Sequence, residues 1–386
     1  MGSSEANQKT MNITLWQQTC LITSTLIGVG VLTLPRTATS HLYEAGWMSP
    51  VFGAMFALVS IWMIAMLSRR FPGMTFIEYS PIIFGTKKTA AAGRLLSLPW
   101  ILFYLLFLLV TTAFTARIFG SVVVTAVLRE TPLEVIIVTM CFLAVFLCMH
   151  EVEVVARVNE LLFPLIVLPV LIISLASFQK AEWEYLFPLF RGDVMAILKG
   201  VSEASYSYQG YEIMLIFFAF ANRNSGKGKA GFYGILITMI VYTLIVVAGI
   251  AVFGYDELQL ETWPTLELVK TTQVPGQILE RLESAFLTVW VVAVFTTVAN
   301  SFYAVVFGLR QLFNKGIGFQ RIISIPLAFL MVYISLLPEN VAEIFEMSAA
   351  MGMLSLIINL GIPALYWLIV LLRGKGIHPE ERKVDG

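Results

Sequence analysis

Few side chains in this chain are placed to do chemistry, and nearly all of them lie inside apolar runs. Gly28 and Gly30 interrupt the first such run, which ends at Pro35. Each glycine weakens a helix interior by about 1 kcal/mol relative to alanine. In lipid, broken backbone persists only where protein or a water-filled cavity satisfies it. The pair therefore predicts an unwound point at mid-membrane depth whose bare N–H groups face something polar. The alternative is ordinary close helix packing, which small residues also serve. A second interruption, Ser205-Tyr206-Ser207-Tyr208-Gln209-Gly210-Tyr211-Glu212, is polar and aromatic within another apolar run.

Two half-helices would then begin near Gly30 and near Tyr211. A helix N-terminus carries partial positive charge and unpaired N–H groups, which suit a carboxylate. The broken C-terminal ends offer carbonyls, which suit an ammonium or a cation. Together they fit a zwitterion such as an amino acid. A sugar would want a ring of Asn, Gln and Asp, and the runs supply few of these. Candidate wall residues at the same depth are Thr111 and Thr112, then Gln209 and Gly210, then Thr296, Thr297, Asn300 and Ser301, with Trp290 two turns before. The competing use of each hydroxyl is a bond back to its own helix.

Charged residues inside membrane spans are functional suspects. Arg117 lies about two turns beyond Thr111, and Glu203 and Glu212 flank the second interruption. We expect Arg117 to pair with one of these carboxylates as a structural clamp or gate; the competing reading is a proton relay through Glu203 or Glu212. Glu160 falls near a span end, where water can reach it. No nucleophile–base pair or phosphate-cradling loop appears, so no enzyme is expected. Cys20, Cys141 and Cys148 lie in apolar runs without metal spacing and read as free thiols, and three scattered histidines form no metal set. No metal or other cofactor is expected.

The elements that must position these residues are membrane helices. The 386 residues are 58% hydrophobic and 13% charged, with mean hydropathy +0.83. Soluble domains carry about 25% charged residues, so this is an integral membrane protein set in a lipid bilayer. Zero net charge removes any broad electrostatic case for nucleic acid. The polar stretch 1–12 lacks a signal-peptide pattern and reads as an N-terminal tail. Apolar runs of membrane length fall near 13–36, 47–68, 94–128, 133–150, 157–178, 192–221, 230–253, 277–311, 321–337 and 344–372. Most Lys and Arg residues fall on the side shared by the N-terminus, the even-numbered gaps and the C-terminal tail 373–386. The positive-inside rule puts both termini in the cytoplasm.

The transmembrane domain, 13–372, divides into repeats 13–178 and 192–372. Spans 1 and 6 are both interrupted, spans 3 and 8 are both long, and spans 2 and 7 are both followed by long semi-polar connectors on opposite sides. That pattern predicts an all-α fold of about ten transmembrane helices in a 5+5 inverted repeat, with its site at the midplane.

The run Ile27-Gly28-Val29-Gly30-Val31-Leu32-Thr33-Leu34-Pro35-Arg36 resembles the first-helix signature of the amino acid–polyamine–organocation (APC) transporter superfamily, whose fold is LeuT-like. More narrowly it resembles the B subunit (GerAB-type) of spore germinant receptors. Further matching pieces are Gly46-Trp47, Ala116-Arg117, Gly210-Tyr211-Glu212, Thr262-Trp263-Pro264-Thr265 and Glu280-Arg281-Leu282-Glu283. The resemblance spans Trp16 to about Pro363. It implies a spore inner-membrane protein that binds a nutrient germinant, usually a small amino acid, and that works with a larger A subunit and a lipoprotein C subunit. It implies a pocket between helices 1, 3, 6 and 8, which places Gly28, Thr111, Gln209, Thr297 and Ser301 at its wall. A proton- or sodium-coupled amino acid permease is the rival reading.

Overall fold

The apolar runs become helices because each is long enough to satisfy its own backbone and shows lipid a hydrocarbon surface. The computed structural model describes residues 13–85, 89–189, 207–222, 226–271 and 282–374. Thr14 starts the first helix with a reciprocal cap: its hydroxyl accepts from Gln17 N–H at 3.2 Å, and the Gln17 side chain accepts from Thr14 N–H at 3.1 Å. Helix α1, Leu15–Leu26, is buried along its last nine residues. It ends at Ile27, and α2, Gly30–Thr39, continues at a 62° bend. The segment 13–36 is thus interrupted at the glycine pair, where two helices meet.

Helix α3 spans Met48–Arg70, and the short α4 spans Phe76–Phe84. Then come α5, Ala90–Ala126, α6, Leu133–Cys148, and α7, Val152–Ser177. After the second interruption, α8 is a short helix of mixed pitch, Tyr211–Phe220. Helix α9 runs Lys227–Leu260 and kinks at Gly254, whose φ of 71° favours glycine. A short α10, Pro264–Thr271, follows, then α11, Leu282–Leu312, and α12, Ile317–Ser335. The last apolar stretch joins α13, Val341–Leu356, through a π-helical turn at Ile357–Gly361 to α14, Ile362–Arg373.

Among the described residues, seven helical stretches are long and apolar enough to cross a membrane, or eight with the bent α1–α2 pair; α6 and α8 are shorter apolar helices. Each long connector holds one short helix, α4 after α3 and α10 after α9. The centre is formed by α1, α8, α9 and α11, whose facing residues are nearly all buried. The periphery is apolar and open: on α12, Ile322, Phe329 and Tyr333 face outward, as lipid contact requires. The ends of α1 and α8 pair on one side, where Ile13 N–H donates to Phe220 and Asn222 N–H donates to Ile13. The two interrupted segments thus run together from a shared end. Cys20, Cys141 and Cys148 are buried free thiols.

Candidate functional site

A helix that stops in the middle of a membrane leaves its last carbonyls without partners. At the end of α1 they are met one by one from neighbouring helices. Thr296 Oγ1 donates to Ser24 O at 3.0 Å, and Thr297 Oγ1 lies 3.0 Å from Thr25 O. The Tyr242 hydroxyl lies 2.6 Å from Leu26 O and 3.1 Å from Ser207 O, so it touches both interruptions. Trp290 Nε1 donates to Gly28 O at 3.2 Å. Of the hydroxyls singled out on span 8, those of Thr296 and Thr297 are thus turned to the broken backbone itself.

The glycines are needed for contact. A Cβ on Gly28 would stand 2.3 Å from Thr297 Oγ1, closer than real Cβ atoms come. Gly210 has a φ of 132°, and a Cβ there would lie 3.2 Å from Thr25 O. A Cβ on Gly30 would lie 3.6 Å from Ser207 O. The two interruptions therefore face each other at one level, with Gly28, Gly30, Thr297 and Gly210 gathered around them.

The N-terminus of α8 is already occupied. Glu212 is buried, and its carboxylate accepts from Gly210 N–H at 2.7 Å. The Asn359 side chain, from the π-helical turn, also hydrogen-bonds to it. Tyr104 on α5 donates to Glu212 O at 3.0 Å, and Tyr208 donates to Pro50 O on α3 at 2.8 Å. One of the two expected carboxylate seats is thus filled by the chain's own side chain. In the first turn of α2, Leu32 N–H donates to the cap carbonyl Val29 O at 3.0 Å.

Among the described residues, Ser24 Oγ and Gln209 Nε2 lie beside the interruptions and are buried without a partner. Gln209 was expected at the wall. Ser24 was not, because one serine in an apolar run carries no distinguishing signal. Thr111 is half-buried, and its hydroxyl lies 2.9 Å from Phe107 O on its own helix; Thr112 bonds likewise to Leu108 O. Ser301 is buried on α11 one turn past Thr297. Below the interruptions, Asn159 on α7 and Asn300 on α11 exchange amide hydrogen bonds at 2.8 Å in both directions, and Asn300 Nδ2 also donates to Thr25 Oγ1 at 2.8 Å.

Arg117 Nη2 donates to Pro338 O at 2.8 Å, in the turn between α12 and α13, while Glu212, the span-6 carboxylate among the described residues, accepts from Gly210 N–H. Glu134 and Glu343 are the carboxylates whose charge acts on it. A backbone carbonyl at a helix end accepts a guanidinium as readily as a side chain does. Glu203 lies outside the described residues, as does Glu280-Arg281. Glu160, at the span end, accepts from Gln17 Nε2 at 2.9 Å. Replacing Arg117 by alanine is expected to lower the stability of the purified protein by about 1–3 kcal/mol, because Pro338 O loses its donor in a buried place. Thermal unfolding beside Arg117→Lys, which keeps a donor, checks this.

On the connector after α9, Thr265 Oγ1 donates to Val31 O at 2.7 Å, and Gln259 Nε2, in the last turn of α9, donates to Arg36 O at 3.0 Å. The Trp263-Pro264-Thr265 motif thereby ties the connector to α2. Among the described residues no metal-holding cluster occurs.

Membrane-length helices around a doubly interrupted centre define the LeuT-like transporter fold. The backbone matches a Na+-coupled sialic acid symporter in a substrate-bound outward-open state, with a TM-score of 0.66 at 11% identity over 92% of this chain and 80% of that one. It matches MhsT in complex with L-phenylalanine with a TM-score of 0.61 at 13% identity, over 96% of this chain and 99% of that one. The chain belongs to the spore germination protein family, whose model matches residues 12–344. Spore germination protein YndE of Bacillus subtilis (strain 168) is 30% identical over 95% of this chain and 98% of its own length. Spore germination protein B2 of the same organism is 25% identical over 94% and 96%. The resemblance drawn from the motifs agrees with this membership, and the structural likeness is one of fold.

Proposed function

We propose that this chain is the nutrient-sensing membrane subunit of a spore germinant receptor, and that it binds a small amino acid between the two interruptions. The observation that carries the reading is the pair of unpartnered buried polar atoms, Ser24 Oγ and Gln209 Nε2, beside facing backbone breaks. Such atoms are costly to bury without a partner, and a zwitterion supplies both donors and acceptors. The start of α2 takes its carboxylate; Gln209, Thr297 and Ser301 lie at its wall, with Thr111 across from them. Binding favours one arrangement of the interrupted helices, by as much as the ligand's differential affinity for the two states. That shift passes to an A subunit and a lipoprotein C subunit in the inner membrane of the spore. The 5+5 inverted repeat and cytoplasmic termini belong to the same reading.

The test is a screen of single amino acids for thermal stabilisation of the purified chain. A ligand at 100 times its Kd adds about 2.7 kcal/mol. At least one small amino acid is expected to raise Tm, and Gln209→Ala is expected to diminish that rise. Unchanged Tm with every amino acid would refute the reading. A second reading, a proton- or sodium-coupled permease, is favoured by the fold likeness to a Na+-coupled symporter. Concentrative uptake into proteoliposomes under an imposed ion gradient would establish it in place of the sensor.

A further inference from the structure

Away from the interruptions, at the end of the bundle that carries most of the Lys and Arg, α3 finishes beside the start of α9. Between them lies a cavity of about 380 Å³. Its rim is cationic and its floor is apolar. Arg69 and Lys229 stand at the rim, both exposed, and Trp62, Met66, Phe232 and Tyr233 line the rest. The order along each helix is the same. On α3, Trp62, Met66 and Arg69 share one face, with the tryptophan about 10 Å deeper than the arginine at 1.5 Å per residue. On α9, Lys229 is followed on one face by Phe232 and Tyr233. The aromatic side chains remain open to the surroundings: Trp62 is 53% exposed and Phe232 47%.

Positive charge is crowded here. Lys227 is buried, and its Nζ donates to Ser68 Oγ at 2.9 Å and lies 3.3 Å from Ser68 O, at the end of α3. The Arg69 charge acts directly against it. Gly228 has no side chain, and Arg69 Nη2 lies 3.3 Å from where its Cβ would stand, so the guanidinium rests over the start of α9. Among the described residues, neither Arg69 nor Lys229 forms an ion pair with a carboxylate. Three like charges around one helix junction leave a place for an anion.

We propose that this cavity holds the headgroup phosphate of an anionic phospholipid, with an acyl chain lying against Trp62 and Phe232. The vertical order decides between sources of phosphate. A free phosphate would use the cations and gain nothing from the aromatic floor; a phospholipid uses both, and basic pockets between membrane helices on the cytoplasmic side suit such headgroups. Aromatic rings at interface depth fit the junction of glycerol and acyl chain.

The experiment uses the full chain in detergent and native mass spectrometry with phosphatidylglycerol, phosphatidylcholine or inorganic phosphate added. Retained phosphatidylglycerol is expected, with weak retention of phosphatidylcholine and little competition by inorganic phosphate. Arg69→Gln and Lys229→Gln, both at exposed positions, are each expected to weaken retention about fivefold. A second measurement reads the place: brominated phosphatidylglycerol in phosphatidylcholine vesicles is expected to quench a fluorescence component that Trp62→Phe removes. Equal retention of the two lipids, full competition by inorganic phosphate, or unchanged retention in both Gln variants would each overturn the proposal.

Discussion

Gly28→Ala is expected to destabilise the protein and blunt its response to any amino acid that stabilises the wild type. The added methyl would sit 2.3 Å from Thr297 Oγ1, with Thr297 Cβ 3.0 Å away. Overpacking of this kind costs about 1–3 kcal/mol. Rotation of Thr297 itself relieves the clash and removes the donor from Thr25 O at the end of α1. An unpaired carbonyl there adds a further cost of about 1–3 kcal/mol. Thr297→Ala in the same chain removes the clashing oxygen, so the two substitutions should be less damaging together than their sum, with a coupling of about 0.5–3 kcal/mol. Thermal unfolding of the two single variants and the double variant gives that number directly; strict additivity would mean that the two residues do not touch. Gly28→Leu, which fills the space altogether, should abolish amino-acid stabilisation while the receptor still assembles, as a blot for the subunits would report. A normal nutrient response in that variant would place the ligand elsewhere.

Glu212→Ala should be among the most destabilising single changes in the membrane domain, whereas Glu212→Gln should be tolerated. The carboxylate caps Gly210 N–H at 2.7 Å, and Glu212 is only 1% exposed. Alanine leaves that N–H without an acceptor in hydrocarbon, at a cost of several kcal/mol. Glutamine keeps an acceptor oxygen in reach and can still bond to Asn359. Thermal unfolding of both variants, with hydrogen exchange read over residues 207–213, separates the roles. If glutamine were as damaging as alanine, the group would be needed for its charge and not as a cap.

The interruptions were legible because glycine has few reasons to sit twice in the middle of an apolar run. Gly28 and Gly30 marked the first bend, and Gly210, at a φ of 132°, marked the turn that starts α8. Helix bounds were legible to a few residues for the same reason that membranes are simple solvents: a long apolar run must be a helix. The partners were harder to read. Thr296, Thr297 and Trp290 were singled out by type and depth, but a side chain's type does not say whether its donor faces a cavity or a neighbouring backbone. Arg117 shows the same gap more sharply. Its acceptor is the carbonyl of Pro338, 221 residues away, and every residue in the chain has a carbonyl. Glu212 was read as a partner for an arginine, whereas a carboxylate two residues beyond Gly210 has a nearer N–H to satisfy. Ser24 carried no signal until the structure left its hydroxyl alone.

The amide pair of Asn159 and Asn300, with Thr25 attached, limits how the molecule can deform. Both asparagines are fully buried, and their bonds join α7, α11 and α1 just below the bend. Sliding α1 lengthwise by a single residue would part these groups together in surroundings that offer no substitute. Turning about that point would leave them joined. The end of α1 beside the bend is thus pinned like the pivot of a lever, and whatever movement a bound molecule sets off should swing the α2 arm far more than the α1 arm.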